Sequence, residues 1–211
     1  MISDKIKLIK DDITSLDVDV IVNAANNSLL GGGGVDGTIH KAAGPELLKE
    51  CITLKHCETG KAKITKGYNL KAKYIIHAVG PIWNNENEKE CTDLLTLAYY
   101  NSINIALKYN LKTIAFPNIS TGVYNFPKNK AANIAINMIL HNIDKINLVY
   151  FVCFDKENYQ IYLKILNEPC YSCNGSGYDN KCLDTNDRIP CFICNASGKK
   201  INSMLFKTLR I

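Results

Sequence analysis

Up to Leu166, six short runs rich in β-branched residues alternate with segments whose apolar residues recur at helical spacing. That alternation restricts the chain to an α/β layered domain. The strand candidates are residues 5–9, 18–22, 61–66, 74–79, 113–116 and 146–154. Residues 45–54, 91–108, 128–141 and 156–166 read as helices, with Leu94, Leu97, Ala98 and Ile105 marking one apolar stripe. Helices of this number cover both faces of a sheet. At Asn167-Glu168-Pro169 the periodicity stops, and Cys, Gly, Asn and Ser take over. The expected layout is a domain over residues 1–167, a cysteine module over 168–200 and a tail over 201–211 that is too short to fold alone.

Composition narrows the class. Hydrophobic residues make up 46% of the chain, enough for a core. No apolar run approaches the roughly 18 residues that cross a bilayer, and the N-terminus alternates Lys with Ile where a secretory signal would be apolar. An intracellular, cytoplasmic protein is expected, with the nucleus open and no membrane partner. A formal charge of +5 without a Lys/Arg stripe permits anionic ligands and does not favour nucleic acid. Nine cysteines cannot all pair within one chain.

The 18–22 strand runs into Asn23-Ala24-Ala25-Asn26 and then into Gly31, Gly32, Gly33 and Gly34. Four glycines let backbone amides approach an oxyanion closely, at the start of the next helix. A flexible turn is the plainer alternative. Gly32, Gly34 and Gly37 formally satisfy G-x-G-x-x-G, but a dinucleotide fingerprint begins directly after its strand, and here about nine residues intervene. No Gly-Lys-Ser/Thr follows, so a nucleoside-triphosphate P-loop is excluded as well.

Asn23–Asn26 and the stretch L-L-G-G-G-G-V-D-G…I-H-K-A-A-G that ends at Gly44 resemble the macrodomain family, in particular its MacroD-type branch. Further matches are Lys10-Asp11-Asp12-Ile13-Thr14, His77-Ala78-Val79-Gly80-Pro81, Phe116-Pro117-Asn118-Ile119-Ser120-Thr121-Gly122, and Val152-Cys153-Phe154-Asp155. The resemblance implies a three-layer α/β/α sandwich, with a mostly parallel or mixed sheet, that binds ADP-ribose. For the MacroD branch it implies hydrolysis of ADP-ribose esters on acidic side chains and of O-acetyl-ADP-ribose. Its partners would be ADP-ribose and ADP-ribosylated proteins.

On that ligand each part has candidates. Asp12, with Ile13 beside it, would accept from the adenine amino group; alternatively Asp12 caps a turn at Thr14. Phe154 would stack on adenine, although strand aromatics more often serve the core. Gly31 to Gly34 and Val35 form one set of diphosphate amides, and Ser120, Thr121, Gly122, Val123 and Tyr124 a second. Pro127 would open the following helix. Tyr124 and Phe126 would line the distal ribose, where the family commonly has Gly-Tyr in place of Asn125-Phe126. Asp36 is the expected base, made harder to ionise by the nearby diphosphate. His40, one helical turn on, would orient it or the water. Asn26 is ranked catalytic and Asn23 ligand-binding, with support of the loop backbone as Asn23's other reading. His56, His77 and His141 read as packing or surface residues.

Cys170, Cys173, Cys191 and Cys194 form a C-x2-C-x17-C-x2-C pattern suited to one structural zinc in a closed tetrahedral shell. No catalytic metal is expected. The C-x-x-C-x-G-x-G text resembles the cysteine-rich zinc domain of DnaJ-type co-chaperones, with two repeats where those proteins carry four. That implies a small zinc-binding hairpin module that targets the enzyme or meets a protein partner. Cys182 is spare or an alternative ligand. Two further functions stay open: an ADP-ribose reader without turnover, and a hydrolase acting on ADP-ribosylated nucleic acid.

Overall fold

The computed structural model describes residues 5–168. The cysteine module with Cys170, Cys173, Cys191 and Cys194, and the tail, lie outside the described residues. In chain order the elements are β1 (Ile6–Lys10), β2 (Val20–Ala25), α1 (Gly34–Ala43), α2 (Pro45–Leu54), β3 (Ala62–Lys66), β4 (Tyr74–Val79), α3 (Glu88–Lys108), β5 (Thr113–Phe116), α4 (Lys128–Asn142), β6 (Leu148–Cys153) and α5 (Lys156–Asn167). The strands form one mixed sheet in the order β1-β6-β5-β2-β4-β3. All neighbours are parallel except the antiparallel β3–β4 pair.

Alternation along the strands separates two cores. Val20, Val22, Ile76 and Ala78 face α3, α4 and α5, whose Leu95, Tyr99, Ala132, Ile136 and Tyr162 pack onto them. Ile21, Ala25, Ile75 and Val79 face the other way, onto Ile39 and Ala43 of α1 and Leu47 and Cys51 of α2. The result is three layers, α/β/α, and among the described residues no helix is long and apolar enough to cross a membrane.

Element ends shift by a few residues, and at Asn23 and Pro127 the difference from expectation bears on the site. β2 extends through Ala25, so Asn23 belongs to the strand interior and not to the loop. The polar Asn23 is accommodated there because a neighbouring strand and helix accept from its amide nitrogen. Pro127 does not open α4: with ψ at 116° it sits at the cap position, and Lys128 is the first helical residue. α1 was foreshadowed only as a helix following the glycines, since Gly34 and Gly37 mask its periodicity.

The centre of the sheet is a fork. β2 pairs with β4 along its whole length, from Val20↔Tyr74 to Ala25↔Val79. Against β5 it pairs only at Val20↔Ile114 and Ile21↔Ala115. Beneath the fork Asp19 clasps three strand starts: its Oδ2 accepts from the amides of Lys112 (3.0 Å) and Thr113 (3.1 Å), and its Oδ1 accepts from Lys73 Nζ (2.8 Å). Burial opposes this carboxylate's charge, but the bonds from Lys73, Lys112 and Thr113 outweigh it and hold its pKa down to about 2. Above Ile21 the edge of β2 facing β5 has no strand partner among the described residues, and a cleft opens there.

Candidate active site

The cleft encloses about 670 Å³ at the carboxyl ends of β1, β2, β5 and β6. In a sheet of parallel strands this is where loops diverge and ligands bind. One wall is the loop and helix start Gly32, Gly33, Gly34, Val35 and Asp36; the facing wall is Asn118 to Tyr124. Asp12 and Ile13 close one end with Phe154, Asp155 and Asn158, and Ala24, Ala25 and Asn26 form part of the floor.

The two walls are shaped by local chemistry. Asn26 folds the first: its Oδ1 accepts from the amides of Ser28 (3.0 Å) and Leu29 (3.2 Å), and its Nδ2 donates to the carbonyl of Gly31 (2.8 Å). Gly31 takes φ +85° and carries its backbone across the His40 ring. α1 then starts at Gly34 with no side-chain cap, so its first amides face the cleft. In the second wall Ser120 and Asn125 both adopt left-handed φ, 64° and 53°. Asparagine tolerates that conformation, so Asn125 completes the turn in which its amide donates to the Gly122 carbonyl (2.9 Å).

Asp36 is buried at the base of the first wall. Its Oδ1 accepts from Asn23 Nδ2 at 2.7 Å and lies 3.6 Å from His40 Nε2; its Oδ2 lies 3.4 Å from Asn26 Nδ2. Burial raises its pKa above the ordinary carboxylate range, and the Asn23 bond and His40 pull against that rise. Gly32 lies directly over it: a Cβ there would come within 3.1 Å of Asp36 Oδ2. A carboxylate that is hard to ionise and lines the cleft beside a residue without a side chain is chemically suited to take a proton from water or a hydroxyl group.

The residues expected from the sequence divide as follows. Asp12, Ile13, Asn26, Gly32, Gly33, Gly34, Val35, Asp36, Ser120, Thr121, Gly122, Val123, Tyr124 and Phe154 line the cleft. Asp12 is also the cap of the turn at Thr14, accepting from its amide (2.9 Å) and hydroxyl (2.8 Å). Gly31 and His40 stand behind the first wall. Phe126 does not line the cleft: it is buried and meets Trp83 edge-on at 4.7 Å, an apolar anchor beneath the second wall. Asn23 is fully buried and touches Asp36 instead of the cleft.

His77, expected to be a packing or surface residue, is fully buried and touches Asn23, the partner of Asp36. It pairs in register with Asn23 across β2 and β4, on the face that α1 and α2 cover. Its ring meets Asn23 Nδ2 (3.1 Å), Thr65 Oγ1 (2.9 Å) and Cys51 Sγ (3.8 Å). The signal was present: Asn23-Ala24-Ala25 and His77-Ala78-Val79 each place one polar residue two before the end of an otherwise apolar strand. His40, Cys51 and His77 bring potential ligand atoms within 4.8 Å of one another. Both ring nitrogens of His77 are already engaged in hydrogen bonds, and burial pushes the Cys51 thiol up to about 11.

Fold and cleft together define an α/β/α domain with an open cleft between two backbone-rich walls. The chain belongs to the Macro domain family, whose profile matches residues 22–135. It is 52% identical over 168 residues to a macro domain-containing protein of Methanosarcina mazei, covering 78% of this chain and 89% of the relative. It is 50% identical over 169 residues to the ADP-ribose glycohydrolase MACROD2 of Xenopus laevis, covering 78% of this chain but 40% of that relative. Among solved structures it resembles a variant of the Oceanobacillus iheyensis macrodomain with ADPR (43% identity, TM-score 0.70, covering 74% of this chain and 89% of that one). It also resembles the Trypanosoma brucei macrodomain in complex with ADP-ribose (41% identity, TM-score 0.70, covering 76% and 66%).

Proposed function

We propose that this protein is a hydrolase that removes mono-ADP-ribose from acidic side chains of proteins and deacetylates O-acetyl-ADP-ribose. The observation that carries the reading is Asp36: a buried carboxylate with a raised pKa, opening into a cleft whose two walls are suited to a diphosphate. ADP-ribose would lie with its adenine among Asp12, Ile13 and Phe154, its diphosphate between Gly32–Val35 and Ser120–Tyr124, and its distal ribose toward Asn26 and Asp36. Relatives described as an ADP-ribose glycohydrolase and as macrodomains with ADP-ribose bound support the ligand and the class of reaction.

In this reading Asp36 accepts a proton as water adds to the ester, and the products are ADP-ribose and a free carboxylic acid. Amides of both walls stabilise the negative charge of substrate and transition state. His40 steadies Asp36 from one helical turn away. Asn26 shapes the first wall and offers its amide edge to a ribose hydroxyl. Beyond the described residues, Cys170, Cys173, Cys191 and Cys194 would hold one structural zinc, whose module serves to target the enzyme inside the cell.

The test is incubation with glutamate-linked and arginine-linked mono-ADP-ribosylated proteins. Release from the glutamate-linked substrate alone is expected, because an ester is easier to hydrolyse than an N-glycoside. Binding of ADP-ribose without release from either substrate would make the protein a reader.

A further inference from the structure

We propose that His77 is a positioning residue that holds the catalytic carboxylate in place through Asn23, in a buried relay running from β3 to the cleft. The proposal rests on the hydrolase reading of Asp36. An ionised carboxylate only accepts hydrogen bonds, so the group 2.7 Å from Asp36 Oδ1 is the nitrogen of the Asn23 amide. That nitrogen only donates, and its second N–H meets His77 Nδ1 at 3.1 Å. Nδ1 therefore carries a lone pair, which leaves the imidazole proton on Nε2. Nε2 in turn donates to Thr65 Oγ1 at 2.9 Å. One tautomer satisfies all three contacts.

The relay is assembled by the sheet. Asn23 and His77 are register partners on adjacent parallel strands, β3 supplies Thr65 from beyond β4, and α1 lowers Asp36 onto the end of the row. Asn23, Asp36, Thr65 and His77 are all buried. The Asn23 Oδ1 has no partner of its own among the described residues, so two N–H bonds alone fix which way the amide faces. Without the His77 lone pair the amide keeps one bond, its second N–H is buried facing no acceptor, and its plane against the carboxylate is no longer fixed.

Protonation of the ring would have the same effect, because Nδ1 would become a donor facing a donor. Burial, with the neighbouring His40, pushes the His77 pKa down to about 3, which keeps the lone pair in place at neutral pH. The titratable groups around the relay are His40 from α1, Cys51 from α2, Glu50 acting on Cys51, and Asp36 itself.

A loosened Asn23 bond favours ionised Asp36 less, so the carboxyl group retains its proton to higher pH. His77→Leu should therefore move the Asp36 titration, followed by side-chain carbon NMR, and the acidic limb of the kcat profile to higher pH. At neutral pH kcat should fall about 10- to 100-fold, the scale of a misplaced catalytic group, with KM little changed because His77 does not line the cleft. His77→Gln, which offers both an acceptor and a donor, should restore the profile. In an Asn23→Leu background, His77→Leu should shift nothing further.

The wild-type protein gives a test that does not depend on variants folding. Long-range proton–nitrogen NMR should show His77 as a single neutral Nε2–H tautomer from pH 5 to 8. An Nδ1–H tautomer, a titration in that window, an unmoved Asp36 titration in His77→Leu, or failure of His77→Gln to rescue would each overturn the relay. If wild-type protein releases no ADP-ribose, the hydrolase reading fails, while the tautomer and carboxyl titration still decide the relay.

Discussion

Phe154 gives the sharpest test of where the adenine lies. Its side chain is 90% exposed, at the end of β6, and Asp155 immediately after it caps α5 by accepting from the Asn158 amide at 2.8 Å. The backbone is thus held on both sides while the ring packs against almost nothing. Truncation to alanine removes no core, so unfolding stability should change by no more than about 0.5 kcal/mol. A base stacked on an aromatic ring contributes about 1–3 kcal/mol. At about 1.4 kcal/mol per factor of ten, Phe154→Ala should weaken ADP-ribose binding roughly 5- to 150-fold. Asp36 follows β2, two strand spacings or about 10 Å away across the sheet, so kcat at saturation should stay within about twofold. Calorimetry with ADP-ribose, thermal unfolding of the free protein and single-turnover kinetics measure the three quantities. An affinity change below about twofold would remove the adenine from this end of the cleft. A parallel fall in kcat would mean that Phe154 shapes the reacting end.

Asp36→Ala should lower kcat by about 100-fold or more and change ADP-ribose affinity far less, as steady-state kinetics and calorimetry would show. Gly32→Ala should also slow turnover while leaving the fold intact, because the added methyl would sit 3.1 Å from Asp36 Oδ2 and 3.2 Å from Asn26 Nδ2, over the carboxylate that water must reach; unchanged kcat would contradict that approach. Asp19→Asn should cost on the order of 1–2 kcal/mol at pH 7, allowing for solvent screening of a pKa held near 2 against 3.8. A depressed pKa contributes stability above the unfolded value and loses it as pH falls toward 2, so the gap between wild type and variant in urea unfolding should shrink to about half by pH 3; a gap independent of pH would be inconsistent with a charge-based clasp. Chelation should remove about one zinc per chain, read by elemental analysis, and leave hydrolysis of O-acetyl-ADP-ribose intact, since the described cleft lies wholly within residues 10–158.

The strands and α2 to α5 were legible because their apolar residues recur at periods of two or 3.6, and α2 spans the expected residues. α1 was masked by glycines that its approach to the cleft requires. At Asn23 a polar residue lowers the apparent propensity for a strand, and only the register with His77 shows why it is buried there. Phe126 followed the family's aromatic into the cleft on paper. Without a hydroxyl it has nothing to hydrogen-bond, and in the structure it fills the space against Trp83. Asp36 and the two backbone walls could be recognised because such chemistry depends on particular residue types at short spacing. The relay behind Asp36 could not, because its members are 12 to 54 positions apart and meet only where strand register and a covering helix bring them together.

The fork between β2 and β5 divides the sheet into two leaves of three strands, β1-β6-β5 and β2-β4-β3, bound along a short spine. The aperture between the walls is therefore set from below, by Ile21, Ala115 and the Asp19 clasp, and not by the residues that line it. Loop substitutions would alter what the cleft recognises, whereas a bulkier side chain at the spine would alter how far apart its two walls stand. A ligand spanning both walls would act as a splice between the leaves, restoring across the opening the cohesion that missing strand pairs do not provide.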